Sequence, residues 1–226
     1  MSGILYGVST GPGDPELMTL KAVRCLETCG TVFIPRNKGE HTLALSIAEQ
    51  CVDMSGKKLI YADFPMSSDA QLINENYRRI ADKICSELEK SDCSMLCLGD
   101  ISVYSTFSPI ADIVTNRGFT VERIAGVTSF CAAAAALGIS LASGSEVLTV
   151  IPYSSEELPG LAGRSGKKVI MKSGRNSSEL LRLLAENGQR VWAAENVGLS
   201  DEKLICDVSS EETGYFTVFI SENDNA

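Results

Sequence analysis

Apolar positions along this chain follow two rhythms that alternate almost from end to end. Short runs rich in aliphatic and β-branched residues predict strands at 4–8, 31–34, 58–61, 95–98, 120–123, 147–151, 168–171, 190–194 and 215–220. Between them, apolar residues spaced three and four apart predict helices over 17–28, 42–51, 70–90, 108–117, 129–137 and 177–187. Ser177 or Ser178 suits the start of the last helix, and Gly188 follows its end. Such alternation implies parallel sheets covered by helices. After Ser140 the strands crowd together, which predicts an antiparallel or mixed sheet there. The expected fold is α/β: two α/β domains with mixed, mainly parallel sheets, residues 1–117 and 118–226, with a ligand crevice between them.

The turns that end these strands hold the candidate chemistry. The first strand runs into Gly11-Pro12-Gly13-Asp14-Pro15-Glu16-Leu17 and then a helix. Gly11 and Gly13 can take positive φ and present bare backbone, while Pro12 and Pro15 stiffen the turn. Asp14 stands where a phosphate loop needs Lys and Ser/Thr, so a nucleoside triphosphate is disfavoured and a cationic ligand stays open. Four more loops follow predicted strands. They are Leu98-Gly99-Asp100 with Val103, Tyr104, Ser105 and Thr106; Gly126-Val127-Thr128-Ser129; Met171-Lys172-Ser173-Gly174-Arg175; and Glu195-Asn196-Val197. Taken alone, the Gly99-Asp100 loop reads equally well as a ligand loop or as an Asx-turn with a helix cap, Thr128-Ser129 reads first as a helix cap, and the last two loops read first as surface turns. Five such loops, all at strand ends, point to a ligand-binding edge.

Composition narrows the partners. The 226 residues are 44% hydrophobic and 22% charged with a net charge of −9, which disfavours nucleic acid and anionic membranes. No basic segment followed by an apolar one opens the sequence, and the apolar stretch 131–137 is too short to span a bilayer, so a cytoplasmic protein is expected. Eight cysteines lack any C-x-x-C pair and His41 is the only histidine, so no protein-bound metal is expected. Most of the thiols read as small core residues. Without a G-x-S-x-G elbow, a hydrolytic triad is disfavoured, and His41 reads as a surface residue at a helix start.

Taken in order, the loops resemble those of the tetrapyrrole methylases, two-domain enzymes that use S-adenosylmethionine. The turn at 11–17 resembles the family's amino-terminal loop, Gly99-Asp100 its central donor motif, and Val127-Thr128-Ser129 its third. Residues 99–107 and 126–134 look most like those of the enzymes that methylate C20 of precorrin-2 or cobalt-precorrin-2 in cobalamin biosynthesis. The sequence departs from the family pattern at Ser9, where glycine is usual, and at Ile101 and Ala125, where proline is common; Ser9 is expected to stiffen the first loop. The resemblance implies S-adenosylmethionine at Pro12, Leu98, Gly99, Asp100, Val103, Thr128, Ser129, Met171, Asn196 and Val197, with Asp100 serving the ribose or amino-acid part. It implies a polycarboxylate tetrapyrrole acceptor, for which Arg36, Lys38, Lys172 and Arg175 are the candidate cations, with His41 beside them. Tyr104 is the candidate polar group near the reacting carbon, and a homodimer is implied. Relatives with other acceptors, among them uroporphyrinogen and rRNA methylases, stay open at this point, as does a non-catalytic binding module.

Overall fold

The computed structural model describes residues 2–37, 42–65, 67, 69–173, 177–208 and 213–223. It divides into two compact units, Met1–Thr128 and Ser129–Ala226. In the first unit, β1 (Ile4–Ser9), β2 (Thr31–Asn37), β3 (Lys58–Phe64), β4 (Cys93–Cys97) and β5 (Thr120–Ile124) form an all-parallel sheet in the order β3-β2-β4-β1-β5. Helices α1 (Leu20–Thr28) and α2 (Leu43–Ala48) pack with Val8, Val32, Ile34 and Leu96 on one face. Helices α3 (Ala70–Leu88) and α4 (Phe107–Asn116) pack with Leu5, Phe33 and Met95 on the other. With both faces covered, β4 is buried at every position, which is why its sequence is apolar rather than alternating. A Cβ on Gly7 would lie 2.5 Å from the Phe107 ring, so the bare backbone of β1 is what lets α4 seat there. Burying one such phenylalanine contributes about 1.5–3 kcal/mol.

Two boundaries differ from the sequence reading. The division expected at 117/118 lies instead at 128/129, because β5 pairs along the whole of β1, from Ile4 with Thr120 to Val8 with Ile124. The helix expected from residue 17 begins at Leu20. Before it, Pro15–Leu17 makes a single 3-10 turn in which Asp14 Oδ1 accepts the Glu16 N–H (2.8 Å). Thr19 Oγ1 then accepts the Ala22 N–H (3.2 Å), so two capping side chains split one apolar run into two elements.

The second unit contains α5 (Ser129–Leu137), β6 (Leu148–Pro152), α6 (Leu158–Ala162), β7 (Lys167–Met171), α7 (Ser177–Glu186), β8 (Gln189–Glu195), β9 (Lys203–Cys206) and β10 (Thr217–Asn223). Its sheet has the order β6-β7-β10-β8-β9, with β6 and β7 parallel and the other pairs antiparallel. Ile151, Ile170, Leu180, Leu184, Val191 and Phe219 meet in its core. The short α6 escaped the sequence reading because Pro159 and Gly160 give two of its five residues a weak helical signal. Cys131 and Cys206 are exposed, whereas Cys29, Cys85, Cys93 and Cys97 fill the core of the first unit. Among the described residues no helix is long and apolar enough to cross a membrane.

Candidate functional site

In the first unit the chain leaves β1 through α1 on one face of the sheet and leaves β4 through α4 on the other. β1 and β4 are neighbours, and adjacent parallel strands that depart to opposite faces open a crevice at their carboxyl ends. The loops at this edge are stitched together. The Gly99 N–H donates to the Gly11 carbonyl (2.7 Å) and the Gly11 N–H to the Gly99 carbonyl (3.2 Å), an isolated bridge between the two glycine turns. Both residues have positive φ, 74° and 75°, which L side chains rarely adopt. The Ile101 N–H donates to Ser9 Oγ (2.9 Å), with both residues fully buried. Thr10 fastens to Cys97 by its N–H (2.8 Å) and its hydroxyl (3.2 Å), both donated to one carbonyl.

Asp100 ties this pair of loops to a third. Its Oδ1 accepts the Ser102 N–H (2.8 Å), and its Oδ2 accepts the Gly126 N–H in the segment after β5 (2.8 Å). Thr19 Oγ1 also donates to the Ala125 carbonyl (3.3 Å). A Cβ on Gly126 would run into the Ser9 Cβ and lie 2.9 Å from the Gly99 carbonyl oxygen, so only glycine lets the three loops close up. Pro12, Leu98, Gly99, Asp100, Val103, Tyr104 and Thr128 therefore share one edge of one sheet. Both Asp100 oxygens hold backbone, which gives that carboxylate a loop-positioning task alongside any contact to a ligand. Nothing lies within 4 Å of where a Gly99 Cβ would sit, so there is free space beside this buried residue. Ser105 Oγ accepts the Phe107 N–H (3.1 Å) and sits 3.1 Å from Cys97 Sγ, anchoring the far end of the loop to β4.

Tyr104 lies in this loop with φ +49° and 40% of its surface exposed. Among the described residues only Tyr104, Lys172, Asn196 and Asp207 combine a side chain with positive φ, and the first three are sites singled out from the sequence. Such conformations cost about 1–3 kcal/mol each and collect at functional sites. Arg36, at the carboxyl end of β2, bonds Asp63 on β3 (2.7 Å) and stacks 4.6 Å above the Tyr61 ring. Its guanidinium holds the Asp63 carboxyl below the usual carboxylate range. Lys38, His41 and Arg175 lie outside the described residues.

In the second unit, β7 and β8 both run antiparallel to β10, so Met171 and Glu195 end at the same sheet edge, on either side of the start of β10. Met171 closes β7 and the exposed Lys172 follows with φ +59°. After β8, Asn196 (φ +53°) donates its N–H to the Phe216 carbonyl (2.9 Å) and its Nδ2 to Asp201 (2.7 Å). Gly198 N–H donates to Glu202 (2.8 Å), so the turn carrying the buried Val197 is held from both sides. Ser129 is the first residue of α5. Sequence reasoning missed Thr10 and Thr19 as staples and Gly7 as the seat for Phe107. No local pattern reports a partner about a hundred residues away.

The chain matches the family model described as Tetrapyrrole (Corrin/Porphyrin) Methylases over residues 4–211. It is 30% identical over 202 residues to the probable cobalt-precorrin-2 C(20)-methyltransferase of Methanocaldococcus jannaschii, covering 89% of this chain and 86% of that one. Against the precorrin-2 C(20)-methyltransferase of a Sinorhizobium species the identity is 30% over 206 residues, covering 84% and 82%. Among solved structures, uroporphyrin-III C-methyltransferase from Thermus thermophilus, complexed with S-adenosylhomocysteine, superposes with a TM-score of 0.71 at 20% identity, covering 97% of each chain.

Proposed function

Because the chain belongs to the tetrapyrrole (corrin/porphyrin) methylase family, we propose that it transfers a methyl group from S-adenosylmethionine to C20 of precorrin-2 or its cobalt complex, in cobalamin biosynthesis. The observation that carries this reading is the 30% identity to C20-methyltransferases, sustained over 84% or more of the chain. The glycine-turn edge of the first unit suits the donor. Space is free where a Gly99 Cβ would sit, and Asp14, Glu16 and Asp100 place negative charge at this edge, which supports a cationic sulfonium donor there.

Bound there, the donor supplies an electrophilic methyl group. The task of the protein is then orientation, which can lower a barrier by roughly 7–11 kcal/mol. Pro12, Leu98, Gly99, Asp100, Val103 and Thr128 are proposed to hold the donor, with the Ser9, Gly11 and Gly126 contacts fixing their loops. Ser129, Met171, Asn196 and Val197 are proposed as further donor contacts. Arg36, Lys38, Lys172 and Arg175 are proposed to meet acceptor carboxylates, and Tyr104 to stand near the reacting carbon. The proposed working state is a cytoplasmic homodimer without protein-bound metal, nucleic acid or membrane, and the net charge of −9 favours that choice of partners. Incubation with S-adenosylmethionine and precorrin-2, metal-free or cobalt-loaded, should add one methyl mass, located at C20 by NMR. No mass gain with either acceptor, or a methyl at another carbon, would refute it.

A further inference from the structure

Away from the glycine turns, the first unit has a cavity of about 110 Å³ lined by Phe33, Tyr61, Ala62, Asp63, Arg79, Ile80 and Lys83. Its floor is apolar, with Phe33 and Ile80 almost wholly buried, while its rim is charged. Three cations, Arg36, Arg79 and Lys83, face one carboxylate. Asp63 is spoken for by Arg36 at 2.7 Å. Arg79 and Lys83 have no ion-pair partner among the described residues, although both are close enough to help hold the Asp63 carboxyl below its usual range, after the larger effect of Arg36. The rim thus keeps a local positive surplus in a chain whose net charge is −9.

We infer that this cavity takes a carboxylate arm of the acceptor, with Arg79 and Lys83 gripping the anion and Phe33 and Ile80 lining the methylene stem. The inference rests on the function proposed above. Sheet geometry supports it. β2 and β3 stand two and three strands from β1, about 10 and 14 Å at the usual spacing, on the same sheet as the glycine turns. A tetrapyrrole with one bridging carbon at those turns extends peripheral arms over that range. A cavity of this volume admits a short acid chain and excludes a ring. Arg79 and Lys83 are exposed on α3 and edge the cavity from the solvent side, where an incoming anion can reach them.

The test compares wild type, the double variant Arg79→Gln/Lys83→Gln and the charge-keeping Arg79→Lys/Lys83→Arg. Each is titrated with S-adenosylhomocysteine by calorimetry and with uroporphyrin III, a stable octacarboxylate, by porphyrin fluorescence, and each is assayed with precorrin-2. The neutral double variant should keep its affinity for S-adenosylhomocysteine, which also certifies its fold, and bind uroporphyrin about tenfold more weakly with a shallower salt dependence. The charge-keeping variant should recover most of that loss. Unchanged uroporphyrin affinity and precorrin-2 KM in the neutral variant would overturn the cavity assignment and leave the methyltransferase reading intact. Wild type that binds S-adenosylhomocysteine but methylates no tetrapyrrole would overturn both. Glutarate that binds wild type but not the neutral variant, without competing against uroporphyrin, would mark a site for free anions and overturn the assignment to the acceptor.

Discussion

Replacing Ser9 by alanine tests whether the glycine turns act as one device. The substitution keeps Cβ and removes only the hydroxyl oxygen that accepts the Ile101 N–H at 2.9 Å. Ser9 and Ile101 are both 0% exposed, so water cannot take the place of that oxygen while the loop stays native. A buried donor left unsatisfied costs about 1–3 kcal/mol. If the cost falls on the closed arrangement of the loops, affinity for the donor drops roughly 5- to 150-fold, since about 1.4 kcal/mol is a factor of ten. At this chain length the same loss lowers Tm by about 2–4 °C per kcal/mol. The affinity is read by calorimetric titration with S-adenosylhomocysteine, and unfolding by far-ultraviolet circular dichroism. The single tryptophan, Trp192, lies in β8 of the second unit, so its fluorescence should be unchanged and serves as an internal control. Wild-type affinity together with wild-type melting in Ser9→Ala would refute the claim that this hydroxyl holds the site.

Gly126→Ala should be harsher, because its methyl group meets the Ser9 Cβ and the Gly99 carbonyl; titration with S-adenosylhomocysteine should show more than a tenfold loss of affinity, and near-native binding would count against the tight closure of the three loops. Arg36→Ala should weaken acceptor binding by several-fold while sparing the donor, as read by porphyrin fluorescence and calorimetry; equal acceptor affinity would reject its placement. Tyr104→Phe should lower kcat with little change in donor affinity, and turnover at the parental rate would remove Tyr104 from the reacting centre. Lys168, 1% exposed, donates to Gln189 and Asn223 (both 2.9 Å), and burial lowers its pKa below 10.5. In the window between that lowered value and 10.5 the unfolded chain binds more protons, so stability rises with pH there. Chemical denaturation across that window should show wild type gaining on Lys168→Met; parallel pH profiles would contradict the sign.

The periodicity of apolar residues was enough to locate β1 through β8, β10 and all but one of the helices, because those elements bury one face or both and the spacing of their side chains records it. It was weaker where burial is weak. β9 is an edge strand with only Ile205 half-buried, and its pattern carries little signal. It also misplaced the domain boundary. β5 belongs to the first unit through backbone pairing with β1, which leaves no mark on its own side chains.

The same division runs through the site. By itself the sequence singled out the loops at the strand ends, since glycines, prolines and capping residues there are local signals with local causes. It also determined the charge balance that favours a cationic donor. What only the tertiary structure decided is how those loops are joined, Ser9 to Ile101, Gly11 to Gly99 and Asp100 to Gly126, and that Arg79 and Lys83 of α3 edge a cavity beside β3. Those links depend on distances between residues up to about a hundred positions apart, and such distances are fixed by strand order and packing rather than by neighbours along the chain.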